Sequence, residues 1–307
     1  MRTRVMKKSG YRQIMKEKWL YFMMIPGILF YLIFRYGPML GLVMAFQNFN
    51  AFLGFFKSPW VGLAHFERFF SEPTFMNLFR NTMILGVLNV VVYFPVPIIL
   101  ALLLNEIHSQ KYKRISQTLI YIPHFISWVV ICSITYTLFT VDGGLVNGVI
   151  EMFGGEKVNF LTSRNLFRPL IMGQVIWKES GWGTIIFLAA LTSIDQELYN
   201  AAEVDGASRS QKLWHITLPG IRSTIVTMLI LRLGTFLNTG FEQLLLMINA
   251  MNRNVGEVFD TYVYTTGILG GQFSYTTAVG LFKSVVALIL VVFANAISKR
   301  LGEEGIF

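Results

Sequence analysis

Polar side chains inside long apolar stretches are the residues of this chain that could bind a polar solute. Arg232, Thr235, Thr239 and Glu242 recur at i, i+3, i+7 and i+10, which places them on one stripe if the segment is a continuous helix. Charges in apolar surroundings are costly, so they usually face other protein groups or a water-filled path. The candidate path residues are Lys178, Arg232, Asn238, Thr239, Glu242 and Gln243, with ring surfaces at Trp177, Trp182 and Phe241.

The elements that must position these residues are long apolar helices. Of 307 residues, 54% are hydrophobic and 14% are charged, whereas soluble domains carry about a quarter charged residues. A helix needs about 20 mostly apolar residues to cross the hydrocarbon of a bilayer. We therefore predict an all-α polytopic membrane protein with six transmembrane helices at 19–46, 81–104, 118–139, 170–191, 223–247 and 277–297. The first contains Gly37 and Pro38, and we expect it to break near Arg35.

The distribution of lysine and arginine predicts the orientation of these helices. Cytoplasmic loops retain basic residues, and about twice as many lie on one side of the predicted spans as on the other. Both termini are therefore expected in the cytoplasm. Residues 1–18 form a cytoplasmic segment, and 19–307 form one transmembrane domain with a cytoplasmic loop at 192–222. This topology accounts for the net charge of +9 without a nucleic-acid partner.

The predicted outer loop at 48–80 is rich in aromatic side chains, and we expect it to pack on the membrane surface. Its aromatic and imidazole residues are Phe55, Phe56, Trp60, His65, Phe66, Phe69 and Phe70.

Motifs for catalysis and metal binding are absent from the sequence. Neither G-x-x-x-x-G-K-[ST], nor G-x-G-x-x-G, nor H-E-x-x-H occurs. The four histidines have no ligand-like spacing, and we interpret His124, beside Pro123, as part of a kink. The single cysteine, Cys132, allows no intramolecular disulfide. We predict no catalytic residue, no metal site and no bound cofactor.

The cytoplasmic loop predicts two short helices. Ser193 with Gln196 has the spacing of a capping box at the start of the first helix, and Gly206 can adopt the left-handed conformation that ends it. Ser208 with Gln211 is a second capping box. The loop should therefore protrude as a helix, a turn at 205–207, and a second helix.

The surface of this loop could receive another protein, because small residues permit close approach and charged residues offer contacts. The alternative is an amphipathic loop resting on lipid headgroups, and the residues alone favour neither. The candidate contact residues are Ala201, Ala202, Glu203, Asp205, Gly206, Ala207 and Arg209.

The stretch YNAAEVDGASRSQKLWHITLPGI resembles the E-A-A loop of ABC importer permeases, with Asn200 where that family usually has Glu. The matching positions are Ala201, Ala202, Gly206, Ile216, Leu218 and Pro219. Residues 103–130, 238–247, 260–284 and 299–307 resemble the carbohydrate-uptake family, in the LplB-type oligosaccharide permease branch.

This resemblance implies a type I ABC importer permease fold. It implies a non-enzymatic subunit that moves oligosaccharides across the bacterial cytoplasmic membrane by alternating access. The implied partners are a second permease in a heterodimer, two ATP-binding subunits that carry ATP and Mg, and an extracellular solute-binding protein. The loop would be the segment that couples ATP hydrolysis to movement.

Two alternatives stay open on the residues. The chain could be an ion-driven secondary carrier for a polar solute, for which Glu179 and Glu242 are the intramembrane carboxylates. Lys178, Arg232 and Lys283 could favour an acidic oligosaccharide, or they could hold helices together or contact the partner permease. For Lys178, snorkelling towards the membrane surface is a further expectation.

Overall fold

The computed structural model describes residues 17–300. Residues 1–16, which are most of the predicted cytoplasmic segment 1–18, lie outside this range, and so do residues 301–307. Within it the chain is helical, without a strand, and the one isolated β-bridge joins Gln47 and Trp60. The all-α prediction is confirmed.

The helices, numbered in chain order, are as follows. α1 is Lys18–Phe46, α2 is Gly54–Lys57, α3 is Ala64–Ser71, α4 is Thr74–Asn105, α5 is Gln110–Phe125, α6 is Trp128–Phe139 and α7 is Leu145–Met152. α8 is Arg164–Thr192, α9 is Gln196–Val204, α10 is Arg209–Gly220, α11 is Arg222–Gly234, α12 is Phe241–Met247, α13 is Arg253–Gly256, α14 is 259–269 and α15 is Phe273–Arg300.

Three helices of residues 17–300 are long and apolar enough to cross a membrane, and two bent helix pairs raise this number to five. The bent pairs are α5 with α6, at 100°, and α10 with α11, at 58°. α8 has 29 residues and is the remaining predicted span, although Lys178 and Glu179 lie in its middle. The predicted third span is therefore a bent helix pair, and the predicted fifth span is interrupted between Gly234 and Phe241.

The break predicted near Arg35 is wrong, because α1 continues through it as a π-helical turn at Leu32–Tyr36. This turn ends two residues before Pro38. Two further π-turns, Asn89–Tyr93 and Leu213–Thr217, end two residues before Pro95 and Pro219. A proline removes one helical donor and crowds the carbonyl four residues earlier. A wider turn accommodates both effects without interrupting the helix.

α8 lies at the centre of the bundle and packs against α4, α5, α11 and α13. Gly181 permits its contact with α5, since a Cβ atom there would lie 2.2 Å from the carbonyl oxygen of Ile120. Two apolar clusters surround α8. One contains Leu85, Cys132, Phe167, Ile171, Leu244, Met247 and Val258, and the other contains Ala101, Leu104, Phe187, Leu188, Leu191 and Ile221.

α1 differs from the rest of the bundle because none of its residues in Lys18–Met39 is buried by this chain. Only its last turns, at Leu40–Phe46, pack against α15. The greater part of α1 is therefore left for lipid or another chain to cover.

A group of hydrogen-bonded side chains, called here the polar clamp, joins Arg68 and Glu72, before α4, to α14 and α15. The Glu72 carboxylate accepts hydrogen bonds from the Tyr262 and Tyr275 hydroxyls, each at 2.9 Å, and from Arg68 Nε at 3.1 Å. Burial raises the pKa of Glu72, but these hydrogen bonds outweigh it and the pKa lies below its ordinary value. Beneath the clamp, Phe69 belongs to a buried aromatic cluster.

Candidate functional site

A groove between α6 and α8 combines apolar walls with polar groups in its floor. Its volume is about 510 Å³. Thr135 and Gln174 supply the polar groups, while Trp177, Phe139 and Phe160 supply aromatic walls. Sites for small organic ligands combine apolar walls with a few fixed polar groups in this way.

A buried chain of hydrogen bonds fixes the floor of this groove. Gln174 Nε2 donates to Thr135 Oγ1 at 2.6 Å, and Gln243 Nε2 donates to Gln174 Oε1 at 2.7 Å and to the Ile171 carbonyl at 3.0 Å. Gln243, a predicted path residue, therefore lies behind the floor. It orients the Gln174 amide and does not line the groove.

Lys178 is committed to the broken third span. Its ammonium donates to the carbonyl oxygens of His124, at 2.7 Å, and Ile126, at 2.6 Å. These carbonyls lie between α5 and α6, where the helical ladder is interrupted. The residue is only 7% exposed, so the expected snorkelling is wrong. A lysine here satisfies backbone acceptors that would otherwise be orphaned.

His124 has more contacts than a kink requires. Its Nδ1 lies 3.0 Å from Glu179 Oε2, and its ring stacks on Trp182 at a centroid distance of 4.8 Å. Glu179 and Trp182 line a second, smaller cleft of about 260 Å³ between α4, α8 and α11, together with Arg232 and Thr235. The break in the third span thus brings a histidine to the charged middle of α8.

Arg232 meets α4 in this second cleft. Its guanidinium donates to Asn89 Oδ1 at 2.5 Å and lies over the Tyr93 ring, 4.7 Å from the centroid. Asn89 and Tyr93 are at the two ends of a π-turn, and the sequence analysis did not select them. The signal that could have identified this position is a polar asparagine within an apolar stretch, six residues before Pro95.

The predicted stripe from Arg232 to Glu242 does not form, because α11 ends at Gly234 and α12 begins at Phe241. Gly240, at φ +86°, takes the left-handed conformation that this break needs. Thr239 is buried, while Asn238 and Glu242 are exposed. The six predicted path residues are therefore distributed over several places in the bundle.

Lys283 does not join the two other basic residues of the proposed trio. It forms a half-buried ion pair with Asp260, which joins α15 to α14. This contact agrees with the alternative that these charges hold helices together.

The loop predicted to be cytoplasmic, 192–222, forms the two predicted helices, α9 and α10. Gly206 has φ +75°, and the Ala207 amide donates to the Ala202 carbonyl at 2.8 Å, so the turn after α9 is left-handed as predicted. The Ser208–Gln211 capping box is confirmed. The Ser193–Gln196 box is wrong, because α9 is capped by Asp195.

Side-chain contacts join the two helices of the loop, while the outer surface of α9 is exposed. Lys212 Nζ lies 3.3 Å from Glu203 Oε2, and the Tyr199 hydroxyl lies 2.9 Å from Thr217 Oγ1, so α9 and α10 are joined. No residue of α9 is buried, and Val204 is 89% exposed. Of the predicted contact residues, Ala202 and Ala207 are half-buried. Ala201, Glu203, Asp205, Gly206 and Arg209 are exposed.

Comparison with known proteins places this arrangement among transport components. The family model described as "Binding-protein-dependent transport system inner membrane component" matches residues 93–303. The polygalacturonan/rhamnogalacturonan transport system permease protein YteP of Bacillus subtilis is 56% identical over 295 residues, which are 96% of this chain and 92% of that protein. Protein LplB of the same organism is 55% identical over 95% of this chain and 92% of its own length.

Solved structures agree with these sequence similarities. A chain of a bacterial alginate ABC transporter, crystallised in complex with an alginate pentasaccharide-bound periplasmic protein, superposes with a TM-score of 0.90 at 39% identity. The match covers 96% of this chain and 99% of that chain.

Proposed function

The chain belongs to the family of binding-protein-dependent transport system inner membrane components, and we propose that it forms half of the membrane path of an importer for acidic oligosaccharides. It is a permease subunit of an ABC sugar-transport system and not an enzyme. The observation that carries this function is similarity over nearly the whole chain, both in sequence and in fold. The ion-driven carrier is set aside on the same ground.

The acidic character of the substrate is supported by the relatives. YteP is named for polygalacturonan and rhamnogalacturonan, and a second matching structure is of a transporter involved in the import of the acidic polysaccharide alginate. A uronate oligomer carries hydroxyls, apolar ring faces and carboxylates. The α6–α8 groove offers partners for the first two through Gln174, Thr135 and the Trp177 ring.

A carboxylate requires a positive partner, and Arg232 is the best placed of the three predicted basic residues. Lys178 is occupied by two carbonyls and Lys283 by Asp260. Arg232 lines the second cleft beside Trp182, and the contacts that hold it are a neutral amide and a ring. In Arg232→Ala, uptake of galacturonate oligomers should fall more than uptake of matched neutral oligomers. An equal effect on both would remove Arg232 from substrate recognition.

The remaining subunits follow from the family and from the uncovered surfaces. A second permease, forming a heterodimer, would close the open side of the groove and cover part of α1. Two ATP-binding subunits would hold ATP and Mg, and one of them would receive α9. An extracellular solute-binding protein would deliver the substrate. The loop 192–222, called here the proposed coupling loop, must face the ATP-binding subunits. Both termini would then face the cytoplasm of a bacterial cell.

Reconstitution tests this assignment. Proteoliposomes are prepared with both permeases and the ATP-binding subunits. They should take up galacturonate oligomers only when ATP is present on the side of the ATP-binding subunits and the binding protein is present on the opposite side. Omission of any one component should abolish uptake. Uptake by this chain alone, driven by an ion gradient, would refute the proposal.

A further inference from the structure

The segment 47–61, called here the aromatic loop, is a tightly closed structure that follows α1. The isolated bridge between Gln47 and Trp60 closes it, and the Val61 amide donates to the Phe46 carbonyl at 2.9 Å. Inside the loop, Gln47 Nε2 donates to the Phe55 carbonyl at 2.9 Å. The loop is therefore a fixed projection, with its two ends together at the end of α1.

The depth of the aromatic loop is set by a bond to α15. The Phe49 amide donates to Ser274 Oγ at 2.8 Å. Ser274 is the second residue of α15, whose apolar, membrane-crossing stretch begins at Phe273. The loop also starts where the apolar α1 ends. The loop therefore lies level with the end of one apolar helix and the start of another.

The tip of the loop presents two rings that the fold does not use. Phe52 is 99% exposed and Phe56 is 102% exposed. Each aromatic ring carries about 150–250 Å² of surface that water solvates poorly. Phe69 of the predicted outer loop behaves differently, since it is buried in the core, whereas Phe70 is exposed. Phe69 therefore does not take part in the packing on the membrane surface that was expected of the loop 48–80.

We propose that Phe52 and Phe56 insert into the lipid leaflet beside the ends of α1 and α15 and act as a rigid interfacial anchor. Lipid is the occupant that the surroundings favour, because the loop continues the uncovered apolar surface of α1 at the depth that α15 sets. Lys57 is the charged residue of the loop and lies next to Phe56, a position from which its ammonium can reach headgroups. The exposed Trp60 adds the ring type that is enriched at the boundary between hydrocarbon and headgroups. This inference needs only the bilayer location and is independent of the substrate.

The single cysteine of the chain makes a direct test practicable. In a Cys132→Ser background, Phe56→Cys and Phe52→Cys are labelled separately with an environment-sensitive fluorophore. The complete importer is then placed in phosphatidylcholine nanodiscs. Glu156→Cys, at an exposed position of another connecting segment, is the matched control for a water-facing label. Quenching is measured with aqueous iodide and with lipids that carry a nitroxide near the headgroup.

We expect both tip labels to be quenched by the nitroxide lipid and to be several-fold less sensitive to iodide than the Glu156 label. Iodide quenching equal to that of the control would overturn the proposal, because the tip would then face water. Protection from both quenchers would also overturn it, since another protein would cover the tip. If that protection required the solute-binding protein, its docking would be the explanation, and otherwise the second permease would be. Because neither phenylalanine packs within the fold, misfolding of the variants is not expected, and two positions provide independent readings.

Discussion

Replacement of Lys178 by methionine tests whether a buried lysine holds the broken third span together. Methionine keeps most of the side-chain volume but removes the ammonium that binds the carbonyls of His124 and Ile126. Each orphaned buried carbonyl costs about 1–3 kcal/mol, so the two together cost about 2–6 kcal/mol. Loss of a desolvated charge offsets part of this penalty. A net destabilisation of about 3 kcal/mol is therefore expected, in the lower half of that range.

Thermal unfolding of the purified chain in detergent measures this effect. Cys132 is buried, and it is the only cysteine, so a fluorogenic thiol reagent reports when the core opens. At about 2–4 °C for each kcal/mol, the midpoint should fall by about 6–12 °C. Lys178→Arg keeps the charge and several donors and should lose less.

Lys157→Met is the matched control, because Lys157 is an exposed lysine paired with Asp142 at 2.9 Å. Exposed ion pairs contribute little to stability, and this variant should unfold like the parent. If Lys178→Met also unfolds like the parent, the carbonyls at the break are satisfied in another way. The Lys178 ammonium would then not hold the two halves of the third span together.

Three further predictions concern the coupling loop, the α5–α8 contact and the polar clamp. Gly206→Val forces a β-branched residue into a left-handed position, which costs about 1–2 kcal/mol or more. In the assembled importer it should uncouple ATP hydrolysis from uptake without preventing membrane insertion, and wild-type uptake would contradict the docking of this loop. Gly181→Ala places a Cβ 2.2 Å from the Ile120 carbonyl oxygen and should lower the unfolding midpoint, whereas Gly148→Ala, where the space is open, should not; equal midpoints would argue against a close α5–α8 contact. The pKa of Glu72 is lowered in the fold, so the stability that this carboxylate contributes is present at neutral pH and is lost as acidification to below pH 4.5 protonates it. The unfolding midpoint should therefore decline in acid, and Glu72→Gln should make that decline smaller. An unchanged acid profile in Glu72→Gln would exclude the clamp as the cause of the decline.

The sequence predicted the parts of the fold that depend on local rules. The lengths of the apolar stretches predicted most of the long helices. A glycine at the end of a short helical pattern predicted the left-handed turn at Gly206, and the Ser208 capping box predicted the start of α10. These features are encoded within a few residues. They need no knowledge of which helices become neighbours.

The sequence failed where tertiary contacts decide the structure. A helical stripe through Arg232 and Glu242 was the simplest interpretation of the fifth span, but the chain breaks between Gly234 and Phe241. Lys178 looked like a snorkelling residue because its acceptors, the carbonyls of another broken helix, lie more than fifty positions away along the chain. Periodicity carries no information about such partners.

The interruptions of the helices provide a route by which movement of the proposed coupling loop, 192–222, would reach the proposed substrate clefts. α9 is tied to α10 by the Tyr199–Thr217 contact, and α10 continues into α11 through a 58° bend. We infer that a force on α9 displaces α11, because the bend between α10 and α11 can act as a hinge. α11 carries Arg232 and is linked by it to the π-turn of α4, so the second cleft would change shape with the loop. The α6–α8 groove depends instead on the buried amide chain from Gln243 to Thr135, which places its floor on a more rigid part of the bundle. A movement of this kind would alter access to the second cleft while leaving the floor of the proposed sugar-binding groove intact, as alternating access around a fixed site requires.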